Sequence, residues 1–475
     1  MRATLARWWR EPEPWVLMVW LLPAASVLLA LMPVGDLAYE IRAGMRMIDD
    51  RTILTHDVFT YTVFGRPWLN QQWAAEILLG GLYKAVGWRG LVFLRALLAS
   101  VAAGAVLVRT RSKGTDPFVA GCVVLVALEV AFELPGTGAL RPQLLAVPLF
   151  LLTLWLVDGR HADPRRLMWL VPVQVVWANV HGSFVLLSAL VGIAFVADVV
   201  GRRGRSATWA AGVFAASLVA PFVSPLGVGI YRYLGDLLSS PIVRQVIDEW
   251  QPLWRREPAG LVFLLVAIVA VVVLIKRGTR RPTVEEGLQL LMFTGLAVWS
   301  GRNLLWWALA TPPIVGGMLA GWHPERTGTR RTTVLVAAGL AALLVIGTVR
   351  VTTVEPAAAL LSEAPTQALT DAVAVATRDG ARVFDGWWGW WFELQLPDVP
   401  MFIDPRAELF PDSVWRDYFT ITQALSGWRQ VLDRWNVDVV VANKRYHERL
   451  IRLLRADPAW TLREEDAEGV VFTRP

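Results

Sequence analysis

Apolar stretches of membrane-crossing length recur along the first 350 residues, and no other feature of the chain constrains its fold as strongly. A hydrocarbon core about 30 Å thick is crossed by about 20 apolar residues in helix. Eleven stretches read as such spans: 15–34, 90–108, 117–135, 140–157, 167–180, 183–200, 207–224, 258–275, 285–300, 303–320 and 333–351. Water is absent at that depth, so each must satisfy its backbone internally, as a helix does. Charged residues make up 18 % of the 475 and hydrophobic ones 55 %. A soluble domain carries about 25 % charged residues, so this composition excludes disorder and argues against a soluble enzyme on a tether. The first stretch follows Arg7 and Arg10 with no small-x-small cleavage site after it, and reads as an uncleaved anchor.

The basic residues between the stretches alternate. Arg2, Arg7 and Arg10 precede the first, and every second connection repeats the bias: Arg109, Arg111 and Lys113; Arg160, Arg165 and Arg166; Arg202, Arg203 and Arg205; Lys276, Arg277, Arg280 and Arg281; Arg326, Arg330 and Arg331. The connections 136–139 and 181–182 have no Lys or Arg, and 301–302 has only Arg302. Lys/Arg-rich connections stay in the cytoplasm. The N-terminus is therefore expected inside and, after an odd number of spans, residues 352–475 outside. Residues 1–351 carry a net charge of +12 and residues 352–475 one of −6. The basic balance thus reflects topology, and no nucleic-acid partner is expected. The single cysteine, Cys122, excludes an internal disulfide and a Cys-based zinc site.

Two domains are expected: a multi-span membrane domain, 1–351, with a long first outer loop, 35–89, and an extracytoplasmic α/β domain, 352–475. The second reads as a helix at 366–378, strands at 381–385 and 399–404, helices near 412–424 and 427–435, an apolar strand at 437–442, a basic helix at 445–455 and a last strand at Val470–Thr473. Alternating strands and helices suggest a partly parallel sheet. The Trp-rich stretch 386–397 reads as a membrane-interface belt or a sugar-stacking surface, the belt slightly ahead.

Unusual polar residues collect on the outer side. The loop 35–89 opens with Asp36, and Glu40 follows on the same helix face of an amphipathic interfacial segment. Asp36 is a carboxylate at the membrane surface, able to take a proton or to cap the helix. Arg42, His56, Asp57 and Arg66 share that loop; Arg141, His181, Glu249 and Arg302 stand in other outer connections. These eight are candidates for binding substrate or phosphate, since polar groups at membrane level tend to mark a site. Asp36, Glu40, His56 and Asp57 are hard ligands compatible with Mg²⁺ or Mn²⁺, although their spacing is no metal motif. Arg95 and Glu129, at similar depth in the second and third spans, are expected to pair.

A long first outer loop that opens with an Asp directly after the first span, with a pair of interfacial helices, the second ending LLGGLYKAVG before a span with an early Arg, resembles the GT-C superfamily of polytopic glycosyltransferases, similar to protein mannosyltransferases and aminoarabinose transferases. The segments DLAYEIRAG, THDVFTYTVFGRPWLNQQWAAE, RPQ, WANVHGSF, EWQP, GRN and FIDPRAELF are more similar still to a group of bacterial GT-C-like membrane proteins. The resemblance implies a hexosyltransferase of the bacterial plasma (inner) membrane. Such an enzyme moves a sugar from a polyprenyl-phosphate donor to a glycan, lipid or protein acceptor outside. It also implies that the loop Asp is the general base, and only Asp36 matches by position. Family members often carry an adjacent acidic pair; here Asp36 is followed by Leu37, with Glu40 one turn on. Two other readings fit the composition. A transporter or flippase of lipid-linked saccharides would favour polar residues at the midplane, and these cluster at the outer ends. A non-catalytic assembly protein would use the outer domain to recruit a partner.

Overall fold

The computed structural model of the chain describes residues 13–132, 139–239, 247–256, 258–324, 330–378 and 380–474. Arg2, Arg7, Arg10 and Arg326, used above for orientation, lie outside the described residues. The chain divides into two compact units. One comprises Met1–Met32, Val86–Arg232 and Ile247–Leu360; the other comprises Pro33–Ala85, Tyr233–Val246 and Leu361–Pro475. The segment 33–85 thus belongs with the C-terminal segment rather than with the spans that flank it.

Each of the eleven apolar stretches contains helix, but four helices among the described residues are long and apolar enough to cross a membrane: Trp73–Ser112, Gly182–Val200, Ala259–Arg277 and Arg331–Thr353. Several others fall short for visible reasons. Leu170–Val180 has 11 residues, a rise of about 16 Å. The stretch 303–320 is interrupted at Thr311, giving helices Leu304–Ala310 and Pro312–Met318, because Pro312 and Pro313 bring no N–H to continue the ladder. Trp73–Ser112 is kinked at Gly87, whose φ of 62° suits glycine alone without strain. The kink separates the expected interfacial stretch from the span that follows. Arg95 is buried and donates to the Leu31 carbonyl at 3.5 Å, while Glu129 is exposed. The expected pair does not form, because Glu129 lies on the outward face of its helix.

Buried aromatics hold the first unit together. Phe150, Trp177, Phe293 and Trp306 come from four helices, and Phe150 meets the other three at ring separations of 5.1–6.2 Å. Such contacts contribute about 0.5–1.5 kcal/mol each beyond area burial. Trp177 lies one turn before His181 and Trp306 one turn after Arg302. The aromatic core therefore fixes the helix ends that carry those two residues.

The second unit contains a four-stranded sheet. Its strands are β1 (Val383–Asp385), β2 (Val439–Asn443), β3 (Thr461–Glu465) and β4 (Gly469–Thr473), in the order β1-β2-β4-β3. β1 and β2 are parallel, with Val383 opposite Val439, and the remaining pairs are antiparallel. Residues 399–404, expected as a strand, do not join this sheet. Met401 instead exchanges backbone hydrogen bonds with Phe59 and Tyr61 of the segment 33–85. The helix Asp36–Asp50 crosses the first turns of Trp73–Ser112 at two glycines. A Cβ on Gly44 would stand 1.8 Å from the Glu76 carbonyl oxygen, and one on Gly80 2.6 Å from the Met45 nitrogen. The Trp-rich stretch forms the helix Gly389–Gln395. Trp388, Trp390 and Trp391 are buried inside the unit, so these rings are core rather than a belt. Trp387 is partly exposed and stacks on Tyr446 at 4.2 Å.

Candidate functional site

In the first unit, four connections expected on the outer side bring Arg141, His181, Glu249 and Arg302 together. Gly301 N–H donates to the Gln251 carbonyl, Ser300 Oγ to the Glu249 carbonyl at 3.1 Å, and Gln143 Nε2 to the Arg302 carbonyl at 3.2 Å. Asn179 Nδ2 donates to the Val175 and Val223 carbonyls at 2.8 and 2.9 Å. On this frame Arg141 Nη1 donates to Glu249 Oε1 at 2.5 Å. Burial acts to raise the Glu249 pKa, but Arg141 and Arg302 outweigh it and hold the carboxyl below its ordinary value. The Arg302 guanidinium lies over the Trp250 ring, 5.2 Å from its centre, a contact that no spacing in the sequence announces.

His181 lies in the short connection 181–182 and is buried. Its Nδ1 accepts from the Ser183 backbone N–H at 3.1 Å and stands 2.7 Å from the Ser183 hydroxyl, which itself accepts from Trp177 Nε1–H. Burial, together with Arg302 and Arg141, holds the imidazole pKa well below its usual range and keeps the ring neutral. Arg302 Nη2 stands 3.3 Å from Nε2 of that neutral ring. Among the described residues Arg302 makes no hydrogen bond to a carboxylate, and the Glu249 carboxylate is engaged by Arg141. The four side chains together carry a net charge of +1, which is the complement of an oxyanion.

The other sequence candidates are in the second unit. Asp36 is the first residue of the helix Asp36–Asp50, and the cap position is Gly35. Its negative charge suits the positive end of the helix dipole. Glu40 is buried on the same helix. Arg42 donates to the Pro397 carbonyl at 3.1 Å, and burial lowers its pKa. His56 and Arg66 are exposed. Asp57 is fully buried: it accepts from Thr60 N at 3.1 Å, Thr60 Oγ1 at 2.7 Å and Arg406 Nη2 at 2.5 Å. Arg406 also donates through Nε to Asp404 at 3.0 Å and lies over Phe59 and Trp68. Asp57 therefore ties the segment 33–85 to the C-terminal segment. Beside this pair, Glu393 is buried with neither carboxyl oxygen hydrogen-bonded among the described residues. Burial, with Asp404 and Asp57 against Arg406 and Arg42, raises its pKa well above the carboxylate range.

Among the described residues no group of three or more His, Cys, Asp or Glu could hold a metal, and of the candidate ligands Asp57 is engaged by Arg406.

No family model and no curated protein matches the sequence. Solved structures do. The apo oligosaccharyltransferase of Archaeoglobus fulgidus superposes with a TM-score of 0.55 at 13 % identity, over 92 % of this chain and 70 % of that one. Archaeal oligosaccharyltransferase AglB from the same organism, in complex with an inhibitory peptide and a dolichol-phosphate, gives 0.54 at 12 % identity over 98 % and 74 %. The A. fulgidus enzyme complexed with Zn and sulfate gives 0.53 at 12 % over 97 % and 73 %. The chain shares the fold of these enzymes. With its long apolar helices it is a membrane-embedded protein.

Proposed function

We propose that this protein is a GT-C glycosyltransferase that moves a sugar from a polyprenyl-phosphate donor to an acceptor on the extracytoplasmic side. The observation that carries the reading is the Arg302 guanidinium, which meets the neutral His181 ring and the Trp250 face and makes no hydrogen bond to a carboxylate among the described residues. A donor phosphate supplies acceptor oxygens for its remaining N–H groups. In the transfer, an acceptor O–H or N–H bond breaks, its proton passing to a carboxylate, and the heteroatom bonds the anomeric carbon. The bond from that carbon to the phosphate oxygen breaks, and its electron pair leaves on the phosphate. Arg302, held beside His181, stabilises that developing charge, a contribution of about 10²–10³ in rate per donor at comparable sites. Arg141 neutralises Glu249 and holds the connection that presents Trp250 beneath Arg302. Asp36 is the proposed base, on the strength of its position after the first span, and displacement with inversion is the outcome. Glu40, one turn on along the same helix, is the second carboxylate.

The test is donor binding. Purified chain should bind a polyprenyl phosphate, and Arg302→Lys, which keeps the charge but loses the planar fork, should weaken it about tenfold. Equal affinity in wild type and Arg302→Lys would return Arg302 to a helix-end role.

A further inference from the structure

A second polar cluster lies in the first unit, in the connections that charge alternation assigns to the cytoplasm. Arg109, Lys113, Asp158, Arg160, Arg203 and Glu285 line a cavity of about 360 Å³, within the size range of small-ligand sites. None of them belongs to the His181–Arg302 cluster.

The hydrogen bonds at its wall are unbalanced. Every carboxylate oxygen already accepts. Asp158 takes Nε and Nη2 of Arg109 at 2.6 and 3.3 Å. Glu285 takes Nη1 and Nη2 of Arg160 at 3.0 and 2.7 Å. Glu286 takes Arg280, and Asp198, behind the wall, takes Arg160, His161 and Ser206. The donors are not used up. Arg109 Nη1 is buried with no partner among the described residues. Lys113 stands 3.9 Å from Asp158, its shortest ion pair among the described residues. Arg203 is 55 % exposed and engages the His161 ring through Nη1 alone, with Asp198 no nearer than 3.9 Å. Lys113 and Arg203, beside Arg109, thus bring spare N–H donors to a cavity whose lining carboxylates are all engaged. The complement is a compact anion with several acceptor oxygens, which Arg binds by its fork and Lys as a point charge.

We propose that this cavity binds a phosphoryl group at the cytoplasmic face, separate from the outer site. The group comes from a lipid headgroup or from a soluble phosphate. Full-length chain in detergent is titrated with inorganic phosphate against chloride of equal ionic strength. It is also titrated with short-chain phosphatidylglycerol against diacylglycerol of the same chains, and thermal stability is read in each case. Lys113→Gln/Arg203→Gln removes one half-buried and one exposed cation and leaves the buried bonds of Arg160 to Asp198 and Glu285 in place, so the variant is expected to fold. Stabilisation by both phosphoryl probes, or by one, supports the proposal and names the source. The apparent affinity should fall about tenfold or more in the double variant. Stabilisation by neither probe, or a shift unchanged in the double variant, overturns it. A shift abolished by Arg302→Lys instead would assign the binding to the outer site and overturn it equally.

Discussion

Replacing Arg406 with Met tests whether the segment 33–85 is locked to the C-terminal segment by one buried ion pair. Arg406 is 1 % exposed, Asp57 0 % and Asp404 4 %. The change removes the cation from two buried carboxylates while keeping most of the side-chain volume over Phe59 and Trp68. Breaking a buried pair by deleting one partner costs about 3–5 kcal/mol, against about 0–1 for an exposed pair. Part of the charge stays compensated. Asp57 keeps its bonds from Phe59 N, Thr60 N and Thr60 Oγ1, and Asp404 keeps the backbone N–H of residue 406. The lower part of that range, about 3 kcal/mol, is therefore expected. Arg406→Met/Asp57→Asn should recover about 1 kcal/mol or more, because one uncompensated charge is gone. The control is Arg434→Met, which breaks an ion pair with Asp417 on a side chain that is 59 % exposed and should cost under about 1 kcal/mol. The assay is chemical denaturation of the purified full chain in detergent. An Arg406→Met chain no less stable than Arg434→Met would refute the reasoning.

Three further outcomes are expected. Gly44→Val should prevent folding of the second unit, seen as low recovery of protease-resistant chain, since its Cβ would overlap the Glu76 carbonyl; normal recovery would mean that the helices do not cross there. Burial raises the Glu76 carboxyl to about 8, against a hydrogen bond from Asn70. A raised folded pKa gives stability that is complete below about pH 4.5 and lost as pH rises towards 8. Asp385, raised to about 7 by burial, adds to that loss. His447, lowered to about 4 by burial, acts in the opposite direction, its contribution lost as pH falls from about 6.5 towards 4. Above pH 6.5 the fall should therefore be clear, and Glu76→Gln should flatten it; an unchanged slope would remove Glu76 as its source. A topology reporter fused after Thr352 should be active only outside and one within 276–282 only inside; an exterior signal from the latter overturns the orientation.

The helical stretches were legible because apolar run length is a local signal. The gathering of Arg141, His181, Glu249 and Arg302 was legible as polar residues in short connections between those stretches. Their pairing was not. That Arg141 takes the Glu249 carboxylate while Arg302 meets the His181 ring depends on how Ser183 and Trp177 set that ring, which polarity alone does not single out. The second unit was the least legible. Its central contact joins Asp57 and Arg406, 349 positions apart, and no periodicity reports a pairing at that separation. Strand β3, TLREE, escaped because an exposed edge strand carries charge rather than alternation. The Trp-rich stretch misled in the other direction: aromatic content alone cannot separate a core helix from an interfacial belt, and burial decides it.

The central claim is transfer from a lipid-phosphate donor with Asp36 as base, and the direct measurement is sugar transfer by the purified chain in lipid nanodiscs. A panel of radiolabelled polyprenyl-phosphate sugars is offered with membrane-derived acceptors, to the wild type and to Asp36→Asn. Asn keeps the volume at the start of the helix but cannot take a proton. The account predicts donor-specific incorporation that falls about 10²–10⁴-fold in Asp36→Asn, with polyprenyl-phosphate binding retained. Incorporation at near wild-type rate in Asp36→Asn, or none from any donor that the wild type binds, would contradict it.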